Sequence, residues 1–225
     1  MGRKEDIERL YNLLELLEER VNGKRKLKNC DGYLNWPDQG IYFFFSNTER
    51  EETTQQRITR TGKSGDLWDR LYQHRGPLTG NYPGGGRHRA SRFRLHIGEA
   101  LIERDGLHSD FPEWGAGDSA VPETRDEEQL LEEQVSNYIR ELPFLWINVN
   151  TAESRNYLER NLIALLSNFE KEAIDPRSST WLGKYSPNEK IRKSGLWCVN
   201  DVHKKYDSDF LDELESHILK TTPVE

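Results

Sequence analysis

The sequence predicts an α/β fold of the α+β kind, a small antiparallel three-stranded sheet flanked by helices. An N-terminal helix precedes it and a C-terminal extension follows. Three observations predict this. Gly40-Ile41-Tyr42-Phe43-Phe44-Phe45 and Phe144 to Val149 are apolar runs of strand length, rich in aromatic and β-branched residues. Segments with apolar residues three and four apart lie around them, as amphipathic helices require. Finally, 225 residues with 34% apolar content, including six Trp and eight Phe, suffice for one sizeable core even though 32% are charged.

Residues 4–22 carry Ile7, Leu10, Tyr11, Leu14, Leu17 and Val21 on one helical face. Residues 23–39 hold Gly23, Gly32 and Pro37 and read as polar turns. Residues 40–45 form a buried first strand. Ser46 to Gln56 reads as a loop, and Arg57-Ile58-Thr59-Arg60-Thr61, ended by Gly62, as a second strand over 57–62. The two pair as a hairpin. Asp66 caps a helix running to about Arg75, with Leu67 and Leu71 as its apolar stripe. Gly76 to Arg89 is a loop rich in Gly and Pro. In 91–104, Phe93, Leu95 and Ile97 alternate as in a strand. Phe93, Ile97, Ala100 and Leu101 instead follow a helix, with Ser91 as cap and Gly106 as stop, and the longer pattern decides for the helix. After a loop over 107–122, the capping box Thr124-Arg125-Asp126-Glu127 opens a helix to about Leu142, ended by Pro143. A third strand covers 144–149 and a helix 152–169. Pro176 to Tyr206 is irregular, anchored by Trp181 and Trp197, and a last helix spans 208–220. Residues 1–225 form a single domain, with a core at 38–170 that includes an insertion over 76–142. Residues 1–37 and 171–225 are its N-terminal and C-terminal additions.

Composition excludes some classes. The longest apolar runs, such as Ile41–Phe45, are too short to span a bilayer. The start, Met1-Gly2-Arg3-Lys4-Glu5, is charged and amphipathic, unlike a signal peptide. Cys30 and Cys198 lack metal-ligand spacing and read as two reduced thiols. A cytoplasmic location without membrane attachment is expected. The net charge of −7 argues against nucleic-acid binding through the whole surface. Its distribution argues for a local site. Arg57 to Arg94 holds nine Lys/Arg against two Asp/Glu, and Glu99 to Glu141 holds thirteen Asp/Glu against three Arg. A basic stripe on an acidic body is the footprint of a polyanion site, although solvated charged faces produce such runs as well.

Chemistry concentrates at three places: Tyr42 on the first strand, Arg70 and His74 on the following helix, and Glu159 on the helix after the third strand. Arg70 and His74 are four apart and share a helical face. Glu159 is followed by Leu162, Ile163 and Leu166, so it stands on the apolar side of its helix. A carboxylate there needs a partner, either Arg70 or a metal ion. Phosphodiester hydrolysis uses such groups. Tyr42 or His74 would orient or deprotonate water. A guanidinium and a hard cation would stabilise the extra charge of the transition state. Mg²⁺ needs only one or two carboxylates besides substrate oxygens and waters. A structural Arg–Glu pair, a core Tyr and a surface His would account for the same residues.

The order of these elements adds information. The chain resembles the GIY-YIG nuclease superfamily over roughly residues 38–170, in the restriction-like branch whose second motif varies. Gly40-Ile41-Tyr42 is similar to the first half of the name motif. Arg57-Ile58-Thr59-Arg60-Thr61 lies where the second half belongs, and at Arg57-Ile58-Thr59 its Tyr and Gly are absent. Asp66-Leu67-Trp68-Asp69-Arg70-Leu71-Tyr72-Gln73-His74 resembles the family's helix with Arg and His, and Leu158-Glu159-Arg160-Asn161-Leu162-Ile163 its metal-binding Glu segment. The resemblance implies an endonuclease acting on DNA, with RNA as a further substrate class, and dependent on Mg²⁺ or Mn²⁺. It implies that Tyr42 is general base or orients the nucleophile. Arg70 then contacts the scissile phosphate, His74 assists proton transfer and Glu159 binds the metal. Arg57, Arg60, Lys63, Arg75, Arg87 and Arg89 are candidates for backbone phosphate contacts. A double-strand cut would need two sites, from a homodimer or from sequential nicking.

Other readings are a non-catalytic nucleic-acid-binding module on the same fold, and a protein–protein adaptor using the acidic segment 99–141. Gly62-Lys63-Ser64 is not a phosphate-binding P-loop, because Arg57 stands where that motif needs its first Gly. Trp36, Trp146, Trp181 and Trp197 read as packing residues. His96, His203 and His217 lack ligand-like companions, and His88 sits in the Gly-rich loop.

Overall fold

The most apolar stretch of the chain becomes the middle of the sheet. In the computed structural model, which describes residues 2–50 and 55–225, Gly40–Glu49 is a strand (β2). It pairs antiparallel with Gln56–Ser64 (β3) on one side and with Pro143–Asn148 (β4) on the other. Arg25–Lys26 (β1) pairs with β4, so the order is β1-β4-β2-β3. The sheet thus has four strands rather than the three expected. β1 is two basic residues with no apolar signal, and only its place beside Phe144 and Pro143 makes it a strand. The loop expected over 46–56 is shorter, because β2 runs to Glu49 and β3 begins at Gln56. Residues 51–54 of that loop lie outside the described residues.

Ile41 to Phe45 are at most 2% exposed. Successive side chains of a strand face opposite ways, so β2 is covered on both faces. That is why it reads as a continuous apolar run and not as an alternation. Tyr42 and Phe44 share the face toward Leu67–Arg75 (α2) and Arg92–Asp105 (α3). Their rings lie 5.4 and 6.2 Å from that of His74, and Phe44 lies 5.3 Å from Phe93.

The caps of α2 and α3 are those expected. The Asp66 carboxylate accepts the Asp69 N–H at 2.9 Å and Ser91 Oγ that of Arg94 at 3.3 Å, while Gly106 ends α3 with φ of 69°. The helix before β4, Pro122–Glu141 (α4), does not use the predicted capping box. It starts two residues earlier, after Val121, with no side-chain cap. Pro122 supplies a helical φ at a position where no N–H is needed. Ala152–Leu166 (α5) follows β4, stopping short of residue 169.

Arg3–Arg20 (α1) buries Ile7, Leu10, Tyr11, Leu14 and Leu17. The irregular tail contains a 3-10 turn, Leu182–Tyr185, and a short α-helix, Glu189–Ser194 (α6), before the final Phe210–Ile218 (α7). Trp181 and Trp197 pack with ring centroids 5.0 Å apart. The Trp197 N–H donates to the Thr59 carbonyl at 2.7 Å, so the tail covers the open edge of β3, which would otherwise invite pairing with another chain. Among the described residues, no helix is long and apolar enough to cross a membrane.

Candidate active site

A cleft of about 400 Å³ opens at the β3 edge, between α2, the start of α3, and α5. Tyr42, Arg70, His74 and Glu159, from three separate parts of the chain, all line it, together with Arg60, Lys63 and Arg92. It continues into a cavity of about 590 Å³ that shares Arg60, Lys63, Arg92 and Glu159 and is bounded by Asn188, Asn200 and Asp201 of the tail.

Tyr42 and His74 form one unit. Tyr42 Oη lies 2.8 Å from His74 Nε2, and His74 Nδ1 lies 2.8 Å from Ser91 Oγ. Burial pushes the Tyr42 hydroxyl above the usual tyrosine range, and Arg60 is the main influence opposing it. Burial holds His74 well below the usual histidine range, and the Arg60, Arg70 and Arg94 charges add to this. His74 is therefore a neutral ring at physiological pH. It acts on Tyr42 through one hydrogen bond.

The register shows why Tyr42 fits. Gly62 stands directly opposite it in the β2–β3 pair, and a Cβ at 62 would meet Tyr42 Oη at 2.3 Å. Position 62 therefore has to be glycine for the Tyr42 ring to lie where it does. Gly62→Ala is expected to force the Tyr42 ring aside and to destabilise the fold by about 1–3 kcal/mol. A urea midpoint equal to that of the parent protein would contradict this.

The cations sort into those that face the cleft and those the fold consumes. Arg70 lies within it, 3.0 Å from Gln73 Oε1. Arg60 donates to the Trp197 carbonyl and its guanidinium lies 4.9 Å from the Phe93 ring centre. Arg92, not singled out from sequence, is exposed at the first turn of α3 and lines both cavities. Its only sequence signal was membership of the basic stripe. Lys63 is paired with Glu159 Oε2, so the partner of Glu159 is Lys63 and not Arg70.

Three of the expected phosphate contacts need correction. Arg57 is buried, donating to the carbonyls of Asp175 at 3.0 Å and Gly195 at 2.6 Å. Arg75 is buried and donates to the Cys30 carbonyl at 2.5 Å. Neither has a surface from which to reach a phosphate. Arg89 lines the cleft, but Glu128 holds its guanidinium in two contacts, at 2.6 and 2.9 Å. Arg87 is exposed and lines a separate hollow with Tyr82 and Arg125.

A metal ion here would rest on Glu159. Among the described residues no three ligating side chains come together, but the Glu159 side chain keeps 19% of its surface exposed in the cleft, and Lys63 engages only one of its oxygens. One hard carboxylate open to solvent, completed by waters and substrate oxygens, fits Mg²⁺ or Mn²⁺.

The model of a family described as the GIY-YIG domain matches residues 1–224, and so takes in α1 and the tail as well as 38–170. No curated protein matches the chain, and no solved structure does.

Proposed function

Because this chain belongs to the GIY-YIG domain family, we propose that it is a metal-dependent endonuclease that hydrolyses phosphodiester bonds in DNA. One observation carries this reading: a Tyr42 hydroxyl fixed by a neutral His74 shares an open cleft with Glu159 and with Arg60, Arg70 and Arg92.

Each residue has a task. Arg70 and Arg92 seat the scissile phosphate as charge-assisted donors. Tyr42, as phenolate, takes a proton from water. The water oxygen forms a bond to phosphorus, and the bond from phosphorus to the leaving oxygen breaks. That oxygen takes its proton from solvent. Arg60 and Arg70 oppose the negative charge that grows on the phosphoryl oxygens, which is the main way a rigid site lowers such a barrier. Glu159 would hold Mg²⁺ or Mn²⁺, which when bound polarises the phosphoryl group and assists the leaving oxygen. A double-strand cut requires two such sites, from a homodimer or from successive nicks.

The test is incubation with supercoiled plasmid in Mg²⁺, in Mn²⁺ and in EDTA. Nicked or linear product with metal and none in EDTA is the expected result. A protein that cuts neither DNA nor RNA, yet binds DNA with an affinity that falls as salt rises, would be a binding module instead.

A further inference from the structure

His74 meets two hydroxyls, and a neutral ring carries one N–H, so it donates to one and accepts from the other. Ser91 decides which. Its oxygen accepts the Arg94 N–H at 3.3 Å, and the residue is 1% exposed. The hydroxyl hydrogen of Ser91 therefore needs an acceptor within the protein, and the one in contact is His74 Nδ1, at 2.8 Å. If Nδ1 carried the proton, Ser91 would face two donors and its own hydrogen would have no partner. A buried polar hydrogen without a partner is disfavoured. Tyr42 differs in that its oxygen accepts no backbone N–H from the described residues, so it has room to accept the ring N–H that Ser91 would have to take as a second donor.

We propose that Ser91 is a positioning residue which donates to His74 Nδ1, places the ring proton on Nε2, and so makes His74 a hydrogen-bond donor to Tyr42. The Tyr42 oxygen then accepts from His74 Nε2–H, and the nearby Arg60 charge acts in the same direction. A hydrogen-bond donor and a neighbouring positive charge both favour the phenolate. His74 cannot take the Tyr42 proton at Nε2, because that nitrogen already holds one. The proton leaves Tyr42 through the cleft. Ser91 belongs to the 76–142 insertion, which thus completes the site and does more than decorate it. The catalytic consequence rests on the nuclease reading, whereas the tautomer does not.

The experiment is two-bond ¹H–¹⁵N correlation on protein labelled at histidine, with the His74 ring signals identified by their loss in His74→Gln. The expected spectrum is that of an Nε2-protonated ring, kept in Tyr42→Phe because Ser91 and not Tyr42 sets it. An Nδ1-protonated ring in the parent protein, or one that switches in Tyr42→Phe, overturns the proposal. In the plasmid assay, Ser91→Ala is expected to lower kcat about tenfold with KM little changed, and Ser91→Thr, which keeps the hydroxyl and the helix cap, to restore it. Parent-level kcat in Ser91→Ala also overturns it. A parent protein that never cleaves rejects the nuclease reading alone, because the ring spectrum needs no turnover.

Discussion

Glu159→Gln is expected to lower DNA cleavage by about 10²–10⁴-fold and at the same time to strengthen DNA binding. The first effect follows from the metal that Glu159 is proposed to hold. A cation at the reacting phosphate contributes several kcal/mol of transition-state stabilisation, and each 1.36 kcal/mol is tenfold in rate. Glutamine keeps the shape of Glu159 and loses the charge that would hold the ion. The second effect follows from Lys63. In the parent protein its ammonium is spent on Glu159 Oε2. In the variant it is released into a cleft that already holds Arg60, Arg70 and Arg92. One further phosphate contact steepens the dependence of log affinity on log salt by about 0.9 for duplex DNA. Initial rates with Mg²⁺ and a filter-binding series in EDTA measure the two effects separately. An unchanged rate would remove Glu159 from the metal site, and an unchanged salt slope would mean that Lys63 does not reach a phosphate.

Glu132→Ala is expected to cost about 3–5 kcal/mol of stability, the usual effect of removing one member of a buried ion pair. Arg94 is fully buried. Its Nε lies 2.9 Å from Glu132 Oε2, and it also donates to the His74 carbonyl at 2.8 Å and to Ser136 Oγ at 2.9 Å. His88 Nδ1 lies 3.0 Å from Glu132 Oε1. The cluster ties α3 and α4 to the helix bearing His74. Alanine would leave a guanidinium in the interior with its charge uncompensated. Against a typical domain stability of about 5–15 kcal/mol, this loss is large. Replacing Arg94 and Glu132 together by Met should recover much of it, since the penalty lies in the orphaned charge.

The pH dependence has a definite sign. Burial raises the Glu132 carboxyl, but its hydrogen bonds and charge contacts with His88 and Arg94 outweigh burial and leave it below the usual glutamate range. Its contribution is therefore present above the unfolded value of roughly 4.3 and lost as pH falls through the folded one. Urea midpoints between neutral and acid pH should converge for the parent and Glu132→Ala. Curves that stay parallel down to the lowest pH would refute the role given to this carboxylate.

What the sequence determined by itself are the features written in local pattern. Residue periodicity placed six of the seven α-helices of the described residues within about three residues of their observed bounds, missing only α6, and aromatic runs placed β2 and β4. Asp66, Ser91 and Gly106 marked helix ends because capping is an interaction over a few residues. The order of Tyr42, Arg70, His74 and Glu159 along these elements was legible for the same reason, and all four meet in one cleft. The tertiary structure alone decided the fate of the charges and the small residues. Arg57 and Arg75 look like surface arginines, and only the arrival of the Asp175, Gly195 and Cys30 carbonyls turns them inward. Lys63 looks like a phosphate contact until Glu159, 96 positions away, takes it. Gly62 looks like a strand terminator until β2 sets Tyr42 against it. Long polar side chains satisfy themselves with whatever group the fold brings near, and that group stands far away in the sequence. Periodicity carries no record of it.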